Sequence, residues 1–196
     1  MNHNICKLDL KEYFNHKFIV GKGEQELAKE HLENVNEYGL FQPQLLPESN
    51  ADFEVEGVQF VFPNKAIDMY DSIQCEGQCI GVETRPYKKI HIIGTAVNND
   101  FIYEELYLRN EESGVQNEAP LLMKDFYYLI GNTKTDYDTY YDCRGAEGYV
   151  AYDSMNESIK RGMYYCESNI SMVKEVNTIE LPYNPDLYIF CITLEW

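Results

Sequence analysis

Positive charge is scarce in this 196-residue chain: 16 Lys and Arg stand against 33 Asp and Glu, a formal charge of −17. Such a surface repels phosphate backbones and anionic lipids. Nucleic acids and membrane surfaces are therefore excluded as partners, and neutral ligands and cations remain. Long apolar runs are missing too, and no window approaches the length of a transmembrane helix. The opening "MNHNICKLDLKEYFNHKF" lacks a basic stretch followed by an apolar run. It is not a secretory signal, and a cytoplasmic protein is expected. There is no nucleophile elbow, no phosphate-binding glycine loop and no zinc-protease helix. Carboxylates are too many for sequence to single out an acid–base pair of the glycosidase kind. Internal repeats and low-complexity tracts are also absent.

What is present is a globular composition, 44% hydrophobic, long enough for one domain with a real core. Leu27, Ala28, Leu32 and Val35 in "GKGEQELAKEHLENVNEYG" fall at roughly helical spacing, with Glu24 and Glu26 at the start and Gly39 past the end. That predicts one short amphipathic helix. "FQPQLLPESNADFEVEG" is a proline-punctuated loop. From residue 57 onward the pattern is that of strands. "GVQFVF" sets Val58, Phe60 and Phe62 on one face, and "KKIHIIGTA" is a β-branched run expected to be buried. "FIYEELYLRN" is aromatic and long enough for a strand, and "DLYIFCITLEW" is apolar on both faces, as in a central sandwich strand. Several strands with polar loops and little helix predict an all-β antiparallel sandwich or barrel.

The candidate sites divide into weak and regional signals. The six cysteines, Cys6, Cys75, Cys79, Cys143, Cys166 and Cys191, are scattered and expected to be mostly reduced. "CEGQC" spaces Cys75 and Cys79 as a zinc pair, but no second Cys or His pair lies near in sequence. Its plainer reading is a tight turn, Glu76-Gly77-Gln78, between two strands, with the cysteines as small apolar fillers; a disulfide across the turn is the competitor. His91 in "KIHII" is far in sequence from His3, His16 and His31, so it reads as a packed or surface histidine. In "DYDTYYDCRGAE", Asp136, Asp138, Asp142 and Glu147 fall at calcium-loop offsets, but Tyr140 and Tyr141 occupy the fifth place and the glycine place. It is no EF-hand. Asp136, Asp138 and Asp142 remain candidates for a less regular calcium site, against the plain alternative of a solvated acidic loop. From Phe126 to Tyr152 lie seven of the chain's 17 tyrosines, interleaved with carboxylates and Arg144. Flat rings pack on sugar C–H faces, and carboxylates and Arg hydrogen-bond hydroxyls. Tyr137, Tyr140, Tyr141, Asp138 and Arg144 are the carbohydrate-binding candidates. Tyrosine is equally at home in sandwich strands and at protein interfaces.

The ordered segments resemble bacterial β-sandwich domains found beside glycoside hydrolase domains. The likeness rests on Gly57, Val58 and Phe60, then Asp71, Ile73, Cys75, Gly77 and Gln78, then Tyr87, Ile90, Ile92, Ile93 and Gly94. The ending "IELPYNPDLYIFCITLE" and the opening "KLDLKEYFN" are similar too. The chain departs from the pattern at Asp125-Phe126, where relatives show Asp-Trp, and in an expanded segment at about 21–54. The resemblance implies a galactose-binding-like jelly roll, whose loops at one end hold sugars and whose rim sometimes holds calcium. No ligand residue carries over from it. The expectation is a single β-sandwich domain over 1–196 with a helix and loop insertion at about 21–54. Its function is that of a non-catalytic, carbohydrate-binding or accessory module. The alternatives are an interaction domain with a Tyr-rich interface, a homodimer included, and a small glycan hydrolase.

Overall fold

The computed structural model of the chain describes residues 4–37, 43–97, 101–126, 143–145, 151–153, 156–171 and 174–196. Strands β1 (Ile5–Lys7), β4 (Ile73–Glu76), β6 (Lys89–Ala96), β9 (Cys143–Gly145), β12 (Tyr164–Asn169) and β14 (Tyr183–Glu195) form one sheet. Its order is β1-β14-β6-β12-β9, with β4 also on β14. A second sheet has the order β5-β13-β7-β8, from Cys79–Pro86, Glu175–Glu180, Phe101–Asn110 and Val115–Lys124. Two hairpins, β2 (Asp52–Val55) with β3 (Val58–Val61) and β10 (Ala151–Asp153) with β11 (Asn156–Arg161), complete the strands described. Every strand pair among the described residues is antiparallel, so the architecture is the expected all-β antiparallel sandwich. Among the described residues no helix is long and apolar enough to cross a membrane.

Burial on both faces explains the two most apolar strands. Between the sheets, Ile90, Ile92, Ile189, Ile192 and Leu194 pack against Leu106, Leu108, Leu121 and Ile179. On the far face of the six-stranded sheet, Ile93, Tyr188, Phe190 and Cys191 meet Phe18, Phe60, Phe62 and Phe126. Phe18 sits at the centre of that second core, its ring centroid 4.6 Å from Tyr188, 5.2 Å from Phe126 and 5.5 Å from Phe190. A register shift between Ile189 and Cys191 sends two successive side chains, Phe190 and Cys191, to the same face, the signature of a β-bulge. The close approach of β6 to β14 requires Gly94, where an added Cβ would stand 2.6 Å from the Tyr188 carbonyl oxygen.

"CEGQC" is a turn, as its plainer reading has it, but the turn changes sheets. β4 pairs with β14, and β5 pairs with β13 in the other layer. Gly77 takes φ +79°, which favours glycine. Gln78 clamps the turn, accepting from the Glu76 N–H (2.8 Å) and donating to the Gln74 carbonyl (2.7 Å). A second crossing, from β13 to β14, runs beside it: the Gly77 N–H donates to Pro182 O and the Leu181 N–H to Gln78 O. Both cysteines are free; Cys75 is buried as a filler, whereas Cys79 is exposed.

The helix is shorter than its sequence period suggests. α1 spans Gln25–Lys29, with Ala28 buried and Leu27 45% exposed. Leu32 and Val35 still join Val20 and Ala28 in a small cluster, but from beyond the helix. The chain turns back there to pair with Lys17, whose N–H donates to Asn34 O and whose O accepts from the Asn36 N–H, both at 2.8 Å. Tertiary pairing thus ends a helix that local spacing would extend. Lys17 is itself fully buried, and its Nζ donates to Asp71 Oδ2 (2.9 Å), Ala66 O (2.9 Å) and Lys65 O (3.1 Å). Asp71 in turn accepts from the Phe18 N–H (2.7 Å) and the Ile19 N–H (3.1 Å). Burial raises the Asp71 carboxyl above its usual range, against the pull of Lys17 and the amides.

Candidate functional site

Tyr137, Tyr140, Tyr141, Asp136, Asp138 and Asp142 lie outside the described residues. Of the carbohydrate candidates expected from the sequence, Arg144 alone is placed, and by its backbone only, opposite Tyr165 where β9 pairs with β12.

The residue types expected of a sugar surface occur together elsewhere, on the outer face of the four-stranded sheet. Ile102, Leu106 and Leu108 turn into the core, so their alternates Tyr103, Glu105, Tyr107 and Arg109 turn outward. Tyr103 is 49% exposed. At the neighbouring β13–β14 crossing, Tyr183 follows Pro182 and is 79% exposed. Tyr103, Glu104, Glu105, Tyr107 and Tyr183 surround an open hollow of about 330 Å³. Glu104 shares the inward register of Ile102 and Leu106 and accepts from the Asn184 amide (2.7 Å) at the edge of the hollow. The Tyr107 hydroxyl donates to Glu105 Oε2 (3.4 Å), and the Glu105 charge holds the phenol above its usual pKa range, so it stays a donor. Arg109 pairs with Glu180 and stands 5.7 Å from the Tyr107 ring centroid. The hollow therefore offers aromatic faces, carboxylate acceptors and a phenol donor, and no nucleophile with its base.

A signal for this site is present in the sequence. "YEELY" puts Tyr103, Glu105 and Tyr107 at a spacing of two, hence on one face of any strand. The denser tyrosines after residue 126 carry a stronger compositional signal and mask it.

The histidine of "KIHII" is packed. His91 is 1% exposed, with Nδ1 2.9 Å from the Tyr165 hydroxyl, which donates to Glu167 Oε2 (3.2 Å). Burial pulls His91 below its usual pKa, while Glu167 and Glu195 pull the other way. Burial pushes Glu167 up, but a 2.6 Å bond from Lys89, with His91 and Tyr165, brings it below its usual range. Among the described residues no group of three or more His, Cys, Asp or Glu is placed to hold a metal.

Two antiparallel sheets, a doubly buried central strand and a solvent-facing tyrosine–carboxylate hollow define an all-β sandwich domain. Residues 5–196 match the model of the AziU2-like beta-sandwich domain, and the chain belongs to that family. Comparison with curated proteins finds no match.

Proposed function

We propose that this domain is a non-catalytic binding module for carbohydrate, accessory to carbohydrate-active enzymes in the manner of galactose-binding-like sandwiches. The observation that carries the reading is the hollow, where two exposed tyrosines, Tyr103 and Tyr183, stand beside Tyr107 and Glu105, with Glu104 at its edge. Ring faces would take sugar C–H faces and the carboxylates would accept from hydroxyls. Tyr137, Tyr140, Tyr141, Asp138 and Arg144 supply the same residue types in the sequence and are the second set of candidates for the same ligand. Calcium on Asp136, Asp138 and Asp142, and a cytoplasmic location, belong to this same reading.

Thermal unfolding against a panel of mono- and oligosaccharides, with and without calcium, tests it. A glycan at a hundred times its Kd adds about 2.7 kcal/mol of stability. Tyr103→Ala and Tyr183→Ala should each remove the shift and leave the unliganded Tm in place, since both side chains are exposed. Loss on Tyr140→Ala or Tyr141→Ala instead would assign the site to that second set. No shift with any glycan refutes the reading. The same exposed tyrosines favour the alternative, a protein-interaction face, because Tyr is enriched at interfaces. Dimerisation that Tyr183→Ala disrupts would support that alternative.

A further inference from the structure

A groove of about 580 Å³ lies on the side of the sandwich covered by the second core, between the segment after β1 and the loop after β3. Its size falls in the roughly 300–1,000 Å³ range of small-molecule sites. Leu8, Phe14, Val61 and Tyr70, all part-exposed, give it an apolar lining above the buried Phe62 and Phe190, and Met69, 44% exposed, stands at the lip. A thioether at a rim adapts to ligands of different outline.

The wall is built in advance. Lys17 holds the loop from beneath through the Lys65 and Ala66 carbonyls. The Lys65 N–H donates to Ser49 Oγ (3.0 Å), and Lys65 Nζ donates to Pro43 O (2.9 Å). Asn64 Oδ1 accepts from the Ala66 N–H (3.0 Å) and the Asn64 amide donates to Met69 Sδ (3.2 Å). A wall fixed before binding spares the ligand the entropy of ordering it.

Charge selects the occupant. The groove is lined by Lys7, Asp9, Lys11 and Asp68 among its charged residues. Lys7 is committed to Asp52 (2.6 Å), and Lys11 and Asp9 to each other (2.9 Å). Asp68 is exposed and makes no ion pair among the described residues. The chain's formal charge of −17 biases the approach of cations further. We propose that this groove is a ligand site, separate from the tyrosine hollow, for a small amphipathic organic cation. Its apolar or aromatic body lies on Val61, Tyr70 and Met69, and its ammonium group faces Asp68.

Three probes with one body test the proposal: 2-naphthylmethylammonium, 2-naphthylmethanol and 2-naphthylacetate, titrated by calorimetry and ligand-observed NMR. The cation should bind about two- to fivefold more tightly than the alcohol, and the anion most weakly. Asp68→Asn should bring the cation to the level of the alcohol. Met69→Ala should weaken both. Glu112→Gln, an equal charge change on the exposed β7–β8 turn of the other sheet, should leave all three unchanged. The proposal is overturned if no probe binds, if the anion matches the cation, or if Glu112→Gln weakens the cation as much as Asp68→Asn. Glycan binding at Tyr103 and Tyr183 should be indifferent to Asp68→Asn, so each site stands or falls separately.

Discussion

Acidification should destabilise this protein in part through one ring, that of His16. The side chain is buried, its centroid 4.8 Å from that of Tyr188 in an edge contact and 6.0 Å from that of Phe18. Its Nδ1 is buried without a hydrogen-bond partner. Desolvation pushes its pKa down to about 4. In the unfolded chain the same ring titrates at about 6.5. Between those values the unfolded state binds a proton that the folded state refuses, so stability falls as pH falls through that window. The full difference is about 3 kcal/mol below pH 4, and about 2 kcal/mol of it is reached by pH 5. Carboxylates also titrate near the lower end, so the measurement has to be a difference. His16→Phe keeps a flat ring against Tyr188 and Phe18 and removes the titration. Urea unfolding of both proteins at pH 7 and pH 5 should show the wild type losing about 2 kcal/mol more than the variant. His91, also lowered by burial, should leave the variant a residual slope of the same sign. Equal losses in the two proteins would refute the argument, and with it the neutral, desolvated state of His16.

Other perturbations follow from the packing. Gly94→Ala would put a methyl 2.6 Å from the backbone oxygen of Tyr188 and 2.9 Å from Met123 Cε. Met123 can move but the strand carbonyl cannot, so thermal unfolding should show a loss of about 1–3 kcal/mol. Lys17→Met would leave the Asp71 carboxylate buried without its cation and strip the donor from the Lys65 and Ala66 carbonyls. The expected loss is about 3–5 kcal/mol in denaturant unfolding, and an unchanged midpoint would show that the pair contributes nothing. Under native conditions a maleimide should label Cys79 and spare Cys75 and Cys191, whose buried thiols are held well above the usual range. Peptide mapping that finds Cys75 modified before unfolding would contradict that order.

Burial decides which parts of the fold are legible in the sequence. β6 and β14 read clearly as strands because both of their faces are covered, which leaves an uninterrupted apolar run in each. The hairpin face of Val58, Phe60 and Phe62 reads clearly because it has one wet side and one dry one. The helix expected from the spacing runs too long because Leu32 and Val35 keep helical period while serving a different contact, the pairing of residues 34–36 with Lys17. The sheet change at Gly77 is invisible because a turn between two strands of one sheet and a turn between two sheets use the same residues. The buried Lys17–Asp71 pair is hidden for a related reason: the partners are far apart in sequence, and neither sits in a recognisable motif. The tyrosine hollow needs only the spacing in "YEELY"; Tyr183, brought from the β13–β14 crossing, needs the fold.

β14 takes β6 on one side and β1 and β4 on the other, yet it follows all three along the chain. On the ribosome, β1 and β4 therefore emerge before the strand that receives them, and β6 has β12 to pair with before β14. β1 and β4 wait with open edges while every strand of the other sheet is made, a state prone to pairing with other chains. The sheet closes only when residues 183–195 emerge from the exit tunnel, and it closes around them. Assembly of the β1 and β4 side of the sheet is thus tied to the arrival of one strand rather than to stepwise growth. It also means that a truncation within β14 leaves β1 and β4 without their strand partner, while β6, β12 and β9 keep their pairing.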